Sequence, residues 1–233
     1  MRTTPLAAVA LIVALTACSP GGGTPETPTT PAGSPSPSVV ADPDELLQLA
    51  VRNMLDASSK RLIGTAAISV STQEFEIVFV DDAAKGSKVE RATDVDVVST
   101  VEFVKVDGSL YILAGEPYWQ WYVNLEDRFL VVDHWVKVPA DHPDHSALLI
   151  LNDQLWTPVG ELTQEDGDDG ALVLVDEAGN RFTISTGETP YLTRVQASQD
   201  TEIGVGTTDI AFSDFDAITE VITAPPGDVV ELQ

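Results

Sequence analysis

The sequence predicts an α+β fold: a long, curved antiparallel sheet of about ten strands with helices packed into its concavity. Three observations predict it. Apolar and polar residues alternate over short runs, consecutive runs are joined by tight turns, and stretches of helical spacing open the folded part and interrupt its middle. Tight turns between neighbouring strands imply antiparallel pairing, because parallel strands need a long crossover. Alternation that is apolar on one side and mostly polar on the other leaves one solvated face, so the helices must cover the other.

The opening helix has its start written out. Asp42 is the cap, Pro43 occupies the first-turn position where a missing N–H costs nothing, and Glu45 follows three residues after the cap. Leu46, Leu47, Ala50, Met54 and Ala57, flanked by Leu49 and Val51, recur at helical spacing and give one broad apolar face. Lys60 and Arg61 are expected near its end, where cations favour the negative pole of the helix dipole.

Strands follow. Ile68 and Val70 are expected to share a face, and Phe75, Ile77 and Phe79 another. After a polar turn from Asp81 to Gly86, Val89–Thr93 and Val97–Val106 read as extended, and Asp107-Gly108 before Leu110 is a strong hairpin signal. Pro117–Val132 is aromatic-rich with spacings of three and four, which suit a helix. Trp135–Val138 reads as a short strand closed by Pro139, and Asp144–Leu155 as a further helix. Ala171–Asp176 and Arg181–Ser185 form a second hairpin around Ala178-Gly179-Asn180. Tyr191–Ala197 and the region of Ile210 and Phe212 alternate likewise. No repeat of solenoid or propeller length is visible.

Before the folded part, residues 1–17 read as an export signal. Arg2 supplies the positive start, Leu6–Leu15 is an uncharged apolar run, and Leu15-Thr16-Ala17-Cys18 ends it at the only cysteine. The run is too short to cross a bilayer core, which needs roughly 20 residues. The motif resembles the lipobox of bacterial lipoproteins. That resemblance implies diacylglyceryl modification of Cys18 and cleavage before it, with a further acyl chain (palmitate-like) on the new amine; two chains give a stable tether where one does not. Residues 18–41 then form a spacer of Ser, Pro, Thr and Gly with too little apolar area to fold. At about 3.1 Å per residue its upper reach is roughly 70 Å.

The remaining domain, 42–233, has 192 residues and no cysteine, so stability must come from a core; that length buries about 70% of the unfolded surface. Removing Arg2 from the 12 basic residues and Glu26 from the 37 acidic ones leaves 11 against 36, a net charge near −25. This excludes a nucleic-acid binder, which needs a basic surface. It equally disfavours adhesion of the domain to an anionic membrane, so the lipid anchor and long spacer must hold it near a surface its own charge avoids.

With these elements in order, the chain resembles the LppX/LprG-type mycobacterial lipoproteins and, more distantly, the LolA/LolB lipoprotein carriers. The resemblance rests on the lipobox, the spacer, the opening helix, the strand meander and the run Val104-Lys105-Val106-Asp107-Gly108-Ser109-Leu110-Tyr111. Trp135-Val136-Lys137-Val138-Pro139, Asp209–Phe215, Ala224-Pro225-Pro226 and Val229-Val230 continue it. It implies an unclosed half-barrel whose concave face and helices enclose a pocket for acyl chains. It implies a non-catalytic carrier of lipid, glycolipid or lipoprotein, anchored outside the cytoplasm, with an envelope transporter or lipoprotein as partner. The stretch Pro117–His134 departs from the family in its aromatic content, filling the cavity or lining it.

The expected lining is Leu47, Val51 and Met54 from the helix, Phe75, Ile77 and Phe79 from the sheet, and Trp119, Tyr122 and Phe129 from the middle segment. Each acyl methylene taken from water gains about 0.8 kcal/mol, so an apolar void needs no catalytic group to hold lipid. The same residues also suit a filled core, which would make the domain an envelope scaffold or sensor with a protein partner. Asp141-His142-Pro143-Asp144-His145 reads as a polar loop before a helix rather than a metal site. Glu165-Asp166-Gly167-Asp168-Asp169-Gly170 reads as a solvated turn, since it lacks the full calcium-loop pattern. No nucleophile elbow, phosphate loop or catalytic thiol is present, so no catalytic residue, metal or cofactor is expected.

Overall fold

The computed structural model describes residues 42–68, 70–93, 96–142, 153–201 and 204–232. They form a mostly-sheet α+β fold: twelve strands in one unclosed sheet, with three helices. The strands are β1 Ser59–Ile68, β2 Ser71–Val80, β3 Ala83–Ala92, β4 Val98–Val106, β5 Ser109–Ala114, β6 Trp135–Val138, β7 Thr163–Asp166, β8 Leu172–Val175, β9 Arg181–Ile184, β10 Leu192–Thr201, β11 Gly204–Ser213 and β12 Val230–Glu231. Helix α1 spans Pro43–Asp56, α2 Glu116–Trp119 and α3 Arg128–Val131. The sheet order is β12-β6-β5-β4-β3-β2-β1-β11-β10-β9-β8-β7.

Local chemistry explains the hairpins. Val106 pairs with Ser109 across Asp107 and Gly108, whose φ values of 51° and 72° are the left-handed pair a two-residue hairpin needs. Val80 pairs with Ala83 across Asp81 and Asp82, with Asp81 at φ 50°. The turn expected from Asp81 to Gly86 is therefore only two residues long, and β3 begins at Ala83.

Pairing across the ladders sorts side chains onto two faces. One row runs Val136, Ile112, Phe103, Gly86, Ile77, Leu62, Phe212 across seven strands. A second runs Phe75, Gly64, Ile210, Val195, Phe182, Leu174. Apart from the two glycines, every member is at most 4% exposed. Gly86 is required by this packing: a Cβ there would stand 2.3 Å from the Glu76 carbonyl and 3.1 Å from the Phe103 ring. Helix α1 lies on this side, against β9 and β10, and α2 against β4. Leu47, Ala50 and Met54 join both rows in one core. The opposite face carries the ion pairs Arg61–Glu76, Arg61–Asp214, Arg91–Glu74 and Arg194–Asp209.

Four expectations need correction. The helix stops at Asp56, and Lys60 and Arg61 belong to β1. Lys60 still serves the helix end, donating from Nζ to the carbonyls of Leu55 and Ala57 at 3.0 and 3.4 Å. Val70 lies in a turn, 48% exposed, and not on a strand with Ile68. Pro117–Val132 is not one helix but the two single turns α2 and α3 joined by further turns. The sheet is not wholly antiparallel either, because β12 pairs parallel to β6. Most of the expected helix Asp144–Leu155 lies outside the described residues; its end, Asp153–Trp156, is a 3₁₀ turn.

The chain reaches β12 by a strap, residues 214–229, that crosses the sheet from the end of β11 to the far edge. Backbone N–H groups of Asp216 and Ile218 donate to the Ser59 carbonyl and hydroxyl, both at 2.9 Å, and Lys85 pairs with Glu220. Asp216 accepts from the Ser58 N–H and hydroxyl at 2.7 and 2.8 Å and from the Tyr191 hydroxyl at 3.2 Å. The Tyr191 ring stacks on Phe215 at 4.3 Å.

Candidate functional site

Two apolar grooves flank the helices on the core side of the sheet. The first, about 510 Å³, lies between α1 and residues 156–158. Its floor is built by helical geometry: Leu47, Val51 and Leu55 recur at four-residue spacing and meet Trp156 and Pro158. Asp44, Gln48, Arg52 and Asp56 form its rim. Helix α1 is fixed here by three contacts. The Asp42 carboxylate accepts from the Asp44 N–H at 3.0 Å, Lys60 covers the last carbonyls, and the Asn53 amide donates to the Pro190 carbonyl at 2.7 Å. Burial lowers the pKa of the Lys60 ammonium, against the nearby charges of Asp216 and Asp56.

The second groove, about 410 Å³, lies beside α2 and is lined by Val97, Tyr118, Trp121 and Tyr122 together with Lys88 and Glu90. Lys88 faces Phe75 and Val101 across the ladders and so stands on the apolar face, 3.9 Å from Glu90. Tyr118 packs against Trp119 at 4.8 Å and Tyr122 at 4.9 Å, and Tyr122 against the ring of His142 at 4.7 Å. Depressions of about 550 and 560 Å³ mark the opposite face. Charged groups from the Arg194–Asp209 and Arg61–Glu76 pairs line them, beside apolar Ile63, Val89 and Ala211 in the first and Val78 and Val104 in the second.

The nine residues expected to line one pocket are thus divided. Leu47 and Val51 line the first groove and Tyr122 the second. Met54, Ile77, Phe79 and Trp119 are packed in the core, and Phe75 is core as well as bordering a depression on the opposite face. The Trp119 indole N–H donates to the Ala114 carbonyl at 3.1 Å, which fixes that ring in place. Phe129 is 73% exposed and lines neither groove. Sequence reasoning missed Leu55, Trp156, Pro158, Val97 and Trp121. Of these Leu55 carried a readable signal, since it continues the Leu47–Val51 spacing.

The histidine-rich loop is only partly within the described residues: His142 is buried against Tyr122, while Asp144 and His145 lie outside them. Among the described residues no three His, Cys, Asp or Glu side chains gather as metal ligands would. In the acidic stretch, Glu165 and Asp166 end β7, and Glu165 pairs with Arg181 at 2.9 Å. Cys18 lies outside the described residues. No helix among the described residues is long and apolar enough to cross a membrane. No known protein-family model matches this sequence, and none of the curated proteins matches it.

Proposed function

We propose that this chain is an extracytoplasmic lipoprotein, anchored to the cell membrane through Cys18, whose domain binds acyl chains and acts as a non-catalytic carrier of lipid, glycolipid or lipoprotein. In this reading the sheet bends as an unclosed half-barrel with α1 in its hollow, and the acyl chain lies in the groove between α1 and Trp156. The observation that carries it is the composition of that groove: Leu47, Val51, Leu55, Trp156 and Pro158 form an apolar floor in a domain of net charge near −25. Its volume of about 510 Å³ falls within the 300–1,000 Å³ usual for small-ligand sites. The resemblance to the LppX/LprG-type lipoproteins supports the same reading, and the acidity argues against nucleic acid as a partner.

Organic extraction and mass spectrometry of the full-length protein from its native host test it. A stoichiometric acyl lipid, lost on Val51→Trp, is the expected result. Lipid-free protein that takes up no fluorescent fatty acid overturns the proposal. One observation favours a second reading, an envelope scaffold or sensor with a protein partner. Met54, Leu62 and Ile77 are wholly buried between α1 and the sheet, as in a filled core.

A further inference from the structure

Between β5 and β6 the chain builds a compact knob, residues 116–134. Part of it is core: Tyr118, Trp119 and Val131 are at most 6% exposed. Three of its other large apolar side chains, Trp121, Leu125 and Phe129, are 79, 73 and 73% exposed. The backbone that carries them is fixed by the fold. The Val123 N–H donates to the Trp119 carbonyl at 2.9 Å, and Arg128 donates from Nε to the Val123 carbonyl and from Nη2 to the Gln120 carbonyl, at 3.3 and 3.4 Å. The same guanidinium stands 3.5 Å from Glu116. Large apolar side chains held in water on an ordered element mark a docking surface where they act together.

We propose that Trp121, Leu125 and Phe129 insert into the lipid bilayer to which the chain is tethered. The inference rests on the lipoprotein reading of Cys18. The chain outside the described residues supplies the argument for this occupant. Ser19 to Ala41 confines the domain to within roughly 70 Å of the membrane at about 3.1 Å per residue, so even weak insertion is effectively intramolecular. The residue set is that of an interfacial anchor, an aromatic and aliphatic wedge. The flanking charges say how it engages. Within 116–134 the acidic Glu116, Glu126, Asp127 and Asp133 outnumber Arg128, and Lys88 beside Trp121 is matched by Glu90, so anionic lipid repels this region and zwitterionic lipid is the surface it enters. Trp121 also lines the groove beside α2, so insertion sets the mouth of that groove against the bilayer.

The test uses the full-length lipidated protein in phosphatidylcholine vesicles, part of whose lipid carries brominated acyl chains that quench tryptophan on contact. The wild type is expected to float with the vesicles and show quenching that added salt does not relieve. Trp121→Phe should lose at least half of that quenching. Reading the difference against Trp121→Phe removes any quenching of Trp156 by lipid in the α1 groove. The double variant Leu125→Asp/Phe129→Asp should still float through Cys18 while Trp121 escapes the quencher. Floating protein with Trp121 unquenched overturns the proposal, leaves the knob to a protein partner, and leaves the lipoprotein reading intact. Protein that does not float removes the tether and overturns both.

Discussion

Replacing Met54 by alanine separates a filled core from a lipid-lined hollow. Met54 is 0% exposed on the face of α1 that meets the sheet, beside Ala50 and in one cluster with Leu62 and Ile77. If that space is packed, the truncation forfeits the transfer free energy of the lost atoms and leaves a cavity that helix and sheet cannot close, since α1 is held by Asn53 and Lys60. Buried Met→Ala changes cost about 2–5 kcal/mol. A cost of about 3 kcal/mol corresponds to a melting temperature lower by roughly 6–12 °C for a domain of this length. Val51→Ala is the internal control. Val51 is half-buried and lines the groove, so losing its two methyls should cost about 1 kcal/mol. Urea unfolding of the full-length protein followed by tryptophan fluorescence, with unchanged m-values, reads both. Equal costs for the two variants would refute the packing argument, because Met54 would then border empty or lipid-filled space.

Two further outcomes follow from the same geometry. Burial alone would raise the Asp176 carboxyl, but hydrogen bonds from Val159, Asn180 and Ala178 outweigh it and hold its pKa below the ordinary carboxylate value. A lowered folded pKa means stability that is fully present above the unfolded value, near 4, and is lost as pH falls through the folded one. Asp176→Asn should therefore cost about 1–3 kcal/mol at neutral pH, with the gap to wild type closing in acid; a pH-independent gap in urea titrations would contradict this. Gly86→Ala forces a methyl against the Glu76 carbonyl and should cost about 1–3 kcal/mol, whereas an unchanged thermal midpoint would mean the strands yield freely there.

How much of this was legible depended on whether one local signal decided the matter. Asp107-Gly108 was readable because only residues tolerant of positive φ complete such a turn. Phe75, Ile77 and Phe79 shared a face because strand period fixes it. The helix end was misread because a cation can serve the last carbonyls from outside the helix, as Lys60 does from β1. The spacing in 117–132 matched a helix, yet the segment is two single turns, with Arg128 bonding back to the Gln120 and Val123 carbonyls. Strand β7 had no apolar alternation to find: all four residues are exposed, and it is held at the sheet edge by pairing with β8. The site was harder still. Val51 lines a groove while Met54, from the same apolar face, is sealed in the core, and Leu47, 2% exposed, belongs to both. Which of them meets open space depends on Trp156 and Pro158, about a hundred residues away in sequence, and no local pattern encodes that.

The division between grooves and core bears on how a carrier of this build would work. The two long rows of buried side chains occupy the middle of the helix-bearing face, so an apolar ligand is left with its margins, beside α1 and beside α2. A ligand at a margin stays partly in contact with water and gains less than one fully enclosed, since the gain follows the apolar area removed. Such a site favours handing a lipid on over storing it. The balance would shift toward the protein if the knob of Trp121, Leu125 and Phe129 met the bilayer, because a groove mouth pressed against lipid need not expose the acyl chain to water during transfer. Fluorescent fatty acid should then exchange between vesicles and the full-length protein faster in the wild type than in Leu125→Asp/Phe129→Asp. Equal exchange rates would separate the knob from lipid handling and leave it an anchor alone.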